Sequence, residues 1–159
     1  MSYQAVILTV SDSCAAGTRT DTSGPAIRVM LENAGFAVQA MQTVPDEEGQ
    51  ISAAIVHDCD ILQADLVVTT GGTGLSPRDV TPEATLAVLD REIRAIPVAM
   101  WVEGLKSTPR AMLSRAVAGI RGHTLVLNVP GSEKAARENL GAVVATLDHA
   151  LRMLAGGGH

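Results

Sequence analysis

The 159-residue sequence predicts an α/β fold: a single domain in three layers, with a mainly parallel sheet covered by helices on both faces. Three observations lead there. Short apolar runs rich in β-branched residues recur at AVILTVS (5–11), ADLVVTT (64–70) and TLVLNVP (124–130), the pattern of strands buried on both sides. Segments with helical spacing of apolar residues stand between them. No linker, repeat or low-complexity stretch divides the chain, and its length suits one core. The domain is expected over residues 1–155, with 156–159 as a flexible glycine-rich tail.

Each element has its own signal. The run at 5–11 ends in a polar loop, DSCAAGTRTDTSG, after which Ile27, Met30, Leu31 and Ala34 repeat at i, i+3, i+4 and i+7. Pro25 near the first turn and Gly35 as a stop mark that amphipathic helix. FAVQAMQTV (36–44) alternates as an outer strand does, and PDEEGQISAAIVHDC opens a helix with acids in its first turn. After the strand at 64–70 and its glycine loop, Thr81 is the expected N-cap and Pro82 the first residue of a helix running to about Asp90. IPVAMWVEGLKSTPRAMLSRAVAGI has a helical pattern broken near Ser107 to Pro109. Beyond the strand at 124–130, Ala136, Leu140, Val143, Val144, Leu147, Leu151 and Leu154 keep a helical period for about six turns.

Composition narrows the function. The apolar content is 47%, yet there is only one Phe, one Trp and one Tyr, so stacking platforms for single-stranded nucleic acid are lacking. A net charge of −5 offers no basic stripe for a phosphate backbone, and no nucleic-acid partner is expected. Cys14 and Cys59 stand alone without zinc-ligand spacing, which fits a reduced, cytoplasmic protein. The first apolar run has no basic region before it and, at about six residues, is too short for a signal peptide or a membrane span. His57, His123, His149 and His159 are scattered, and a structural or inert place suits each.

In an open parallel sheet, ligands sit at the carboxyl ends of the strands. The loops SDSCAAGTRTDTSGP, GGTGLSPRD and VPGSEK gather there. Gly71, Gly72, Thr73 and Gly74 have the makings of a phosphate cradle, because glycine lets backbone N–H groups approach oxygens closely. The same residues also suit a plain chain reversal, and their spacing matches neither G-x-G-x-x-G nor a P-loop. Arg78 and Asp79 follow, a cation and a carboxylate suited to phosphates and their metal ion. Asp46 would face the same edge, either as a second metal carboxylate or as a helix N-cap. Gly131 and Ser132 offer a turn and a cap whose helix points its positive end at the edge, with Lys134 in the first turn. Ser11, Asp12 and Ser13, then Thr20 to Ser23, form a polar bed for a ligand or a set of turns. Arg110 and Arg115 are either anion ligands or solvated surface groups.

In this order, the segments TVSDS, DTSGP, VPDE, TTGGTGLSPRDVTPEAT, TPRAMLSRAVAGI and LNVPGS resemble the molybdopterin adenylyltransferase family, the Mog/MoaB group of molybdenum-cofactor biosynthesis. The resemblance covers nearly the whole chain. Related domains in molybdate-insertion proteins carry a Val-Ser version after the double glycine, so the chain is similar to the adenylyltransferase branch. The resemblance implies transfer of AMP from ATP to the terminal phosphate of molybdopterin, with release of pyrophosphate. A carrier of molybdopterin or its adenylate, of the same fold, is the alternative. By motif, Asp46 and Asp79 become the Mg²⁺-organising or catalytic acids, and Gly71 to Gly74 with Arg78 take the nucleotide phosphates. Gly131 and Ser132 would lie beside the nucleotide, and Ser11, Asp12, Ser13, Ser23 and Gly24 would bind the pterin side. A homotrimer and a molybdate-insertion enzyme as downstream acceptor are further implications. One departure stands out: Glu133 follows PGS where many members carry Pro.

Overall fold

The computed structural model describes residues 2–157. Its elements are β1 (Gln4–Val10), α1 (Asp12–Ala15), α2 (Ser23–Asn33), β2 (Ala37–Val44), α3 (Glu48–Asp60), β3 (Leu66–Thr70) and α4 (Thr81–Leu86). They continue with β4 (Arg91–Glu92), α5 (Ala95–Ser107), a 3-10 helix at Pro109–Leu113, β5 (Ala118–Arg121), β6 (Thr124–Val129) and α6 (Glu133–Leu154). Residues 158 and 159 of the expected tail, His159 among them, lie outside the described residues.

The strands form one sheet in the order β2-β1-β3-β6-β5-β4. β2, β1, β3 and β6 are mutually parallel, and β5 and β4 add an antiparallel edge. Side-chain alternation sorts the buried runs into two cores, which is why apolar residues stand at both odd and even positions along them. Ala5, Ile7, Leu66, Val68, Leu125 and Leu127 face α2, α5 and α6, packing on Ile27, Leu31, Met100, Leu140 and Leu147. Val6, Leu8, Val10, Val67 and Val126 face α3 and α4, packing on Ile51, Ile55, Cys59 and Ala84. Each fully buried leucine in these layers contributes roughly 1.5–3 kcal/mol. The three layers expected from the sequence are therefore present.

Local expectations fail in three places. Thr81 does not cap α4; Val80 holds that position, and the Thr81 hydroxyl donates to the Gly71 carbonyl at 2.9 Å. That bond returns the helix start to the glycine loop. α4 ends at Leu86, well before Asp90, because the chain must turn into the short strand β4. The end of the expected helical region, Ala118 to Ile120, lies in β5. It pairs with β6 through a turn at Gly122 and His123, where Gly122 has φ +58°, the geometry a two-residue hairpin demands. Cross-strand pairing overrode a pattern whose apolar spacing also suits a helix. The break near Ser107 to Pro109 is where expected, with Thr108 extended and its hydroxyl accepting from the Arg110 amide.

Candidate active site

The chain order 2-1-3 places a topological switch beside β1, where consecutive connections leave for opposite faces of the sheet. The carboxyl ends of β1, β2, β3 and β6 meet there. Their closeness dictates the glycines: at Gly71 (φ +104°), an added Cβ would strike the Val10 carbonyl of β1. The loop cannot retreat, because the Gly71 amide donates to Val129 at the end of β6 (3.1 Å). A Cβ on Gly131 would in turn lie 3.2 Å from the Gly71 Cα. This crossing consumes one amide only. The N–H groups of Gly72, Thr73 and Gly74 make no hydrogen bond among the described residues.

A cavity of about 650 Å³ opens over this crossing, a volume typical of small-ligand sites. Of the residues singled out from sequence, Ser11, Ser23, Asp46, Gly71, Gly72, Thr73, Gly74, Asp79, Gly131 and Ser132 line it. Asp12, Ser13, Gly24 and Arg78 do not, and each has a local task. Asp12 and Asp46 exchange hydrogen bonds, the amide of each donating to the carboxylate of the other at 2.9 Å. Arg78 donates to both Asp12 oxygens (3.1 and 3.0 Å) and to Glu47 (2.9 Å). These ion pairs are about half exposed, so they add little stability, but they join three loops around the acids. Ser13 lies 3.2 Å from the Ser11 hydroxyl. Gly24 donates to Asp21 at 3.0 Å, and an added Cβ there would strike the Asp21 carboxylate. Asp21 also accepts from Thr9 (2.7 Å) and Ser23 (3.2 Å), pinning the start of α2 to the end of β1.

The two acids are arranged alike. Asp46 Oδ2 accepts from Asp12 and Asp79 Oδ2 from Ser76, while neither Oδ1 has a hydrogen-bond partner among the described residues. Asp46 does not cap α3; Glu47 holds that position without a side-chain cap bond. Burial is the main cause that raises the Asp46 pKa above the usual aspartate value, and the charges of Asp12 and Asp79 add to it. The Asp12 amide and Arg78 oppose the rise. In Asp12, by contrast, the Arg78 hydrogen bond and then the Asp46 amide hold the carboxyl below its usual value. The corner thus concentrates negative charge and leaves it partly uncompensated, as a cation site does. No cluster of three or more His, Cys, Asp or Glu able to hold a metal occurs among the described residues. A carboxylate pair suits Mg²⁺, which takes one or two protein oxygens and fills its shell with phosphate and water.

Several neighbours of the site carry little signal in the sequence. Thr108, Arg110, Glu138 and Asn139 line the far side of the cavity. Asn139 carried a visible signal, a polar residue three places after Ala136 on the apolar stripe of α6. Arg115, open in the sequence between anion ligand and solvated group, is bound to the glycine loop and its flank: its side chain donates to Gly74, Asp79 and Glu83. The Ser132 cap was legible, and its hydroxyl accepts from the Ala135 amide at 3.2 Å where α6 points at the cavity. Lys134 faces Glu138 at 4.0 Å on that helix. None of His57, His123 and His149 lines the cavity, and Cys14 and Cys59 are both free.

The family model described as "Probable molybdopterin binding domain" matches residues 6–149. The chain belongs to this molybdopterin-binding family. Among family relatives, a molybdopterin adenylyltransferase of Helicobacter pylori is 38% identical over 94% of this chain and 86% of its own length. The molybdenum cofactor synthesis protein cinnamon of Drosophila melanogaster is 40% identical over 93% of this chain, which spans 25% of that relative's length. Two further long relatives are spanned over 22% and 49% of theirs. The crystal structure of the molybdopterin biosynthesis enzyme MoaB from Thermus thermophilus superposes with a TM-score of 0.92 at 49% identity, covering 97% of each chain. The family match and this superposition agree with the fold described above over nearly the whole chain.

Proposed function

We propose that the chain is a molybdopterin adenylyltransferase acting in molybdenum-cofactor biosynthesis. One observation carries the reading: three unbonded amides of a glycine loop and two carboxylates, each with an unbonded oxygen, share a single cavity. A phosphate oxygen of molybdopterin attacks the α-phosphorus of ATP; the bond to the α,β-bridging oxygen breaks, and that oxygen leaves with pyrophosphate. Reaction between two anions needs alignment and charge neutralisation more than a covalent nucleophile. The amides of Gly72, Thr73 and Gly74 and the positive end of α6 at Ser132 bind and orient phosphate oxygens. Asp46 and Asp79 would hold Mg²⁺, which when bound neutralises phosphate charge and aids the departing pyrophosphate. Ser11 and Ser23 bind the pterin side, and the pairs of Arg78 with Asp12 and Glu47 keep the loops in register.

The similarity to the adenylyltransferase of Helicobacter pylori supports this activity. The product is an activated phosphoanhydride, to be consumed by a molybdate-insertion enzyme. We place the reaction in the cytoplasm; no helix among the described residues is long and apolar enough to cross a membrane. The working unit is a homotrimer. Val98, Trp101, Val102 and Leu105 support a subunit contact, forming an apolar stripe along α5 with Val98, Val102 and Leu105 exposed.

The test is pyrophosphate release from ATP, Mg²⁺ and molybdopterin. Wild-type protein should release it, and Asp79→Ala should abolish release while molybdopterin still binds. Binding of the pterin by wild type without any adenylate formed would replace this reading with that of a carrier.

A further inference from the structure

Arg115 follows the 3-10 helix by two residues and precedes β5, far in sequence from the glycine loop. Its backbone amide donates to the Thr73 carbonyl at 2.8 Å. Its Nε donates to the Gly74 carbonyl at 2.8 Å, and Nη2 to the Asp79 carbonyl at 2.7 Å. Nη1 is held by both oxygens of Glu83, at 2.5 and 3.0 Å. The other hydrogen bonds of this loop's backbone are internal, Asp79 to Ser76, Ser76 to Asp79 and Arg78 to Ser76. Among the described residues, every hydrogen bond from the backbone of residues 73–79 to the rest of the chain therefore ends on Arg115.

We infer that Arg115, held by Glu83, is a positioning residue of the site: it fixes the Thr73, Gly74 and Asp79 carbonyls so that the glycine amides and the Asp79 carboxylate face one ligand. The inference rests on the nucleotide reading of the cavity. A surface ion pair between Arg115 and Glu83 alone would contribute little, since both side chains are more than a third exposed. The two carbonyl bonds are another matter, because they come from opposite ends of one loop. Only a planar fork with donors on separate edges can serve both and a carboxylate together; a lysine ammonium is a single point. Glu83 fixes the rotation of that fork and sits in the first turn of α4, immediately after the loop. The cradle and its acid thus take their geometry from a residue that touches neither substrate nor metal.

The experiment uses the full chain with Arg115→Lys and Glu83→Gln. Amide hydrogen exchange is followed across residues 73–79 in the free protein, and Mn²⁺ uptake with α,β-methylene-ATP is followed by electron paramagnetic resonance. In Arg115→Lys, exchange at Ser76 and Asp79 should quicken at least about tenfold, and Mn²⁺ affinity should fall about 10- to 100-fold, as for groups that orient metal ligands. The thermal midpoint should move by less than about 4 °C, and Glu83→Gln should fall between the two proteins. Wild-type Mn²⁺ affinity in Arg115→Lys overturns the inference, whatever the exchange rates do, because a merely structural contact would change exchange alone. Should Arg115→Lys not fold, Glu83→Gln decides: lowered affinity supports positioning and unchanged affinity overturns it. If wild-type protein takes up no Mn²⁺ with the nucleotide, the adenylyl-transfer reading fails, and unchanged loop exchange in Arg115→Lys overturns the Arg115 role independently.

Discussion

Asp46 and Asp79 are identical in type and differ in surroundings. Asp46 exchanges hydrogen bonds with Asp12 and lies near two negative charges, and burial, with those charges added, holds its pKa above the ordinary aspartate value. In the metal-free protein, carbon NMR of the side chains should find Asp46 titrating above the usual aspartate range and Asp12 below it. Asp79→Asn should bring the Asp46 value down, because one repelling charge is removed. An Asp46 value unchanged by that substitution would separate the two acids electrostatically and weaken the pairing on which the proposed metal binding depends. At this scale the sequence was informative about residue types. It showed both acids and the three glycines of the 71–74 loop, but it left Arg115 open between anion ligand and solvated group, because the partners of Arg115 lie 32 to 42 residues away.

At the scale of elements, α3 carries a group that the proposed chemistry does not use. Asp58 is fully buried; Oδ1 accepts from Gln42 of β2 at 2.9 Å and lies 3.5 Å from His57 Nδ1, while Oδ2 has no partner among the described residues. Desolvation raises its pKa, against the hydrogen bonds of Gln42 and His57. Folded protein therefore keeps this proton to higher pH than the unfolded chain does. Stability falls as pH rises from the ordinary aspartate value through the raised one. Asp58→Asn, which carries no titrating group, should flatten that fall, so that its melting temperature overtakes the wild type toward neutral pH. A parallel pair of melting curves across pH would show that Asp58 is not the source. Elements were also where sequence periodicity ran out. Apolar spacing located α2, α3, α5 and α6, whereas β5 depended on pairing with β6, and the end of α4 on the turn into β4.

For the molecule as a whole, the antiparallel addition of β5 and β4 extends the sheet under α5 and leaves the stripe of Val98, Val102 and Leu105 uncovered. Trp101 belongs to the same stripe, and its indole N–H has no partner among the described residues. In the proposed trimer this face lies against a second copy, so Val102→Glu should convert trimers to monomers in light scattering. A wild-type protein that is already monomeric at assay concentration would remove that contact from the picture. Because α5 and the 3-10 helix also carry Gly104, Thr108 and Arg110 to the cavity, loss of the trimer should raise the KM for substrate as well.

Much about this protein is determined by local sequence alone. Uninterrupted β-branched runs require strands buried on two faces, and their alternation with amphipathic segments requires helices on both sides of a parallel sheet. Glycine at 71 and 131 and acids at 46 and 79 were legible because loops after buried strands must lie at one sheet edge. Tertiary structure decided which polar residues enter the cavity and which hold it in shape. Asp12 and Arg78 lie within the motifs yet brace loops, and Thr81 bonds back to Gly71 instead of capping its own helix. Arg115 comes from a different segment altogether. The reason is physical: a hydrogen bond is satisfied by whichever partner the packed chain brings within reach, and sequence separation does not constrain that partner once four strand ends converge.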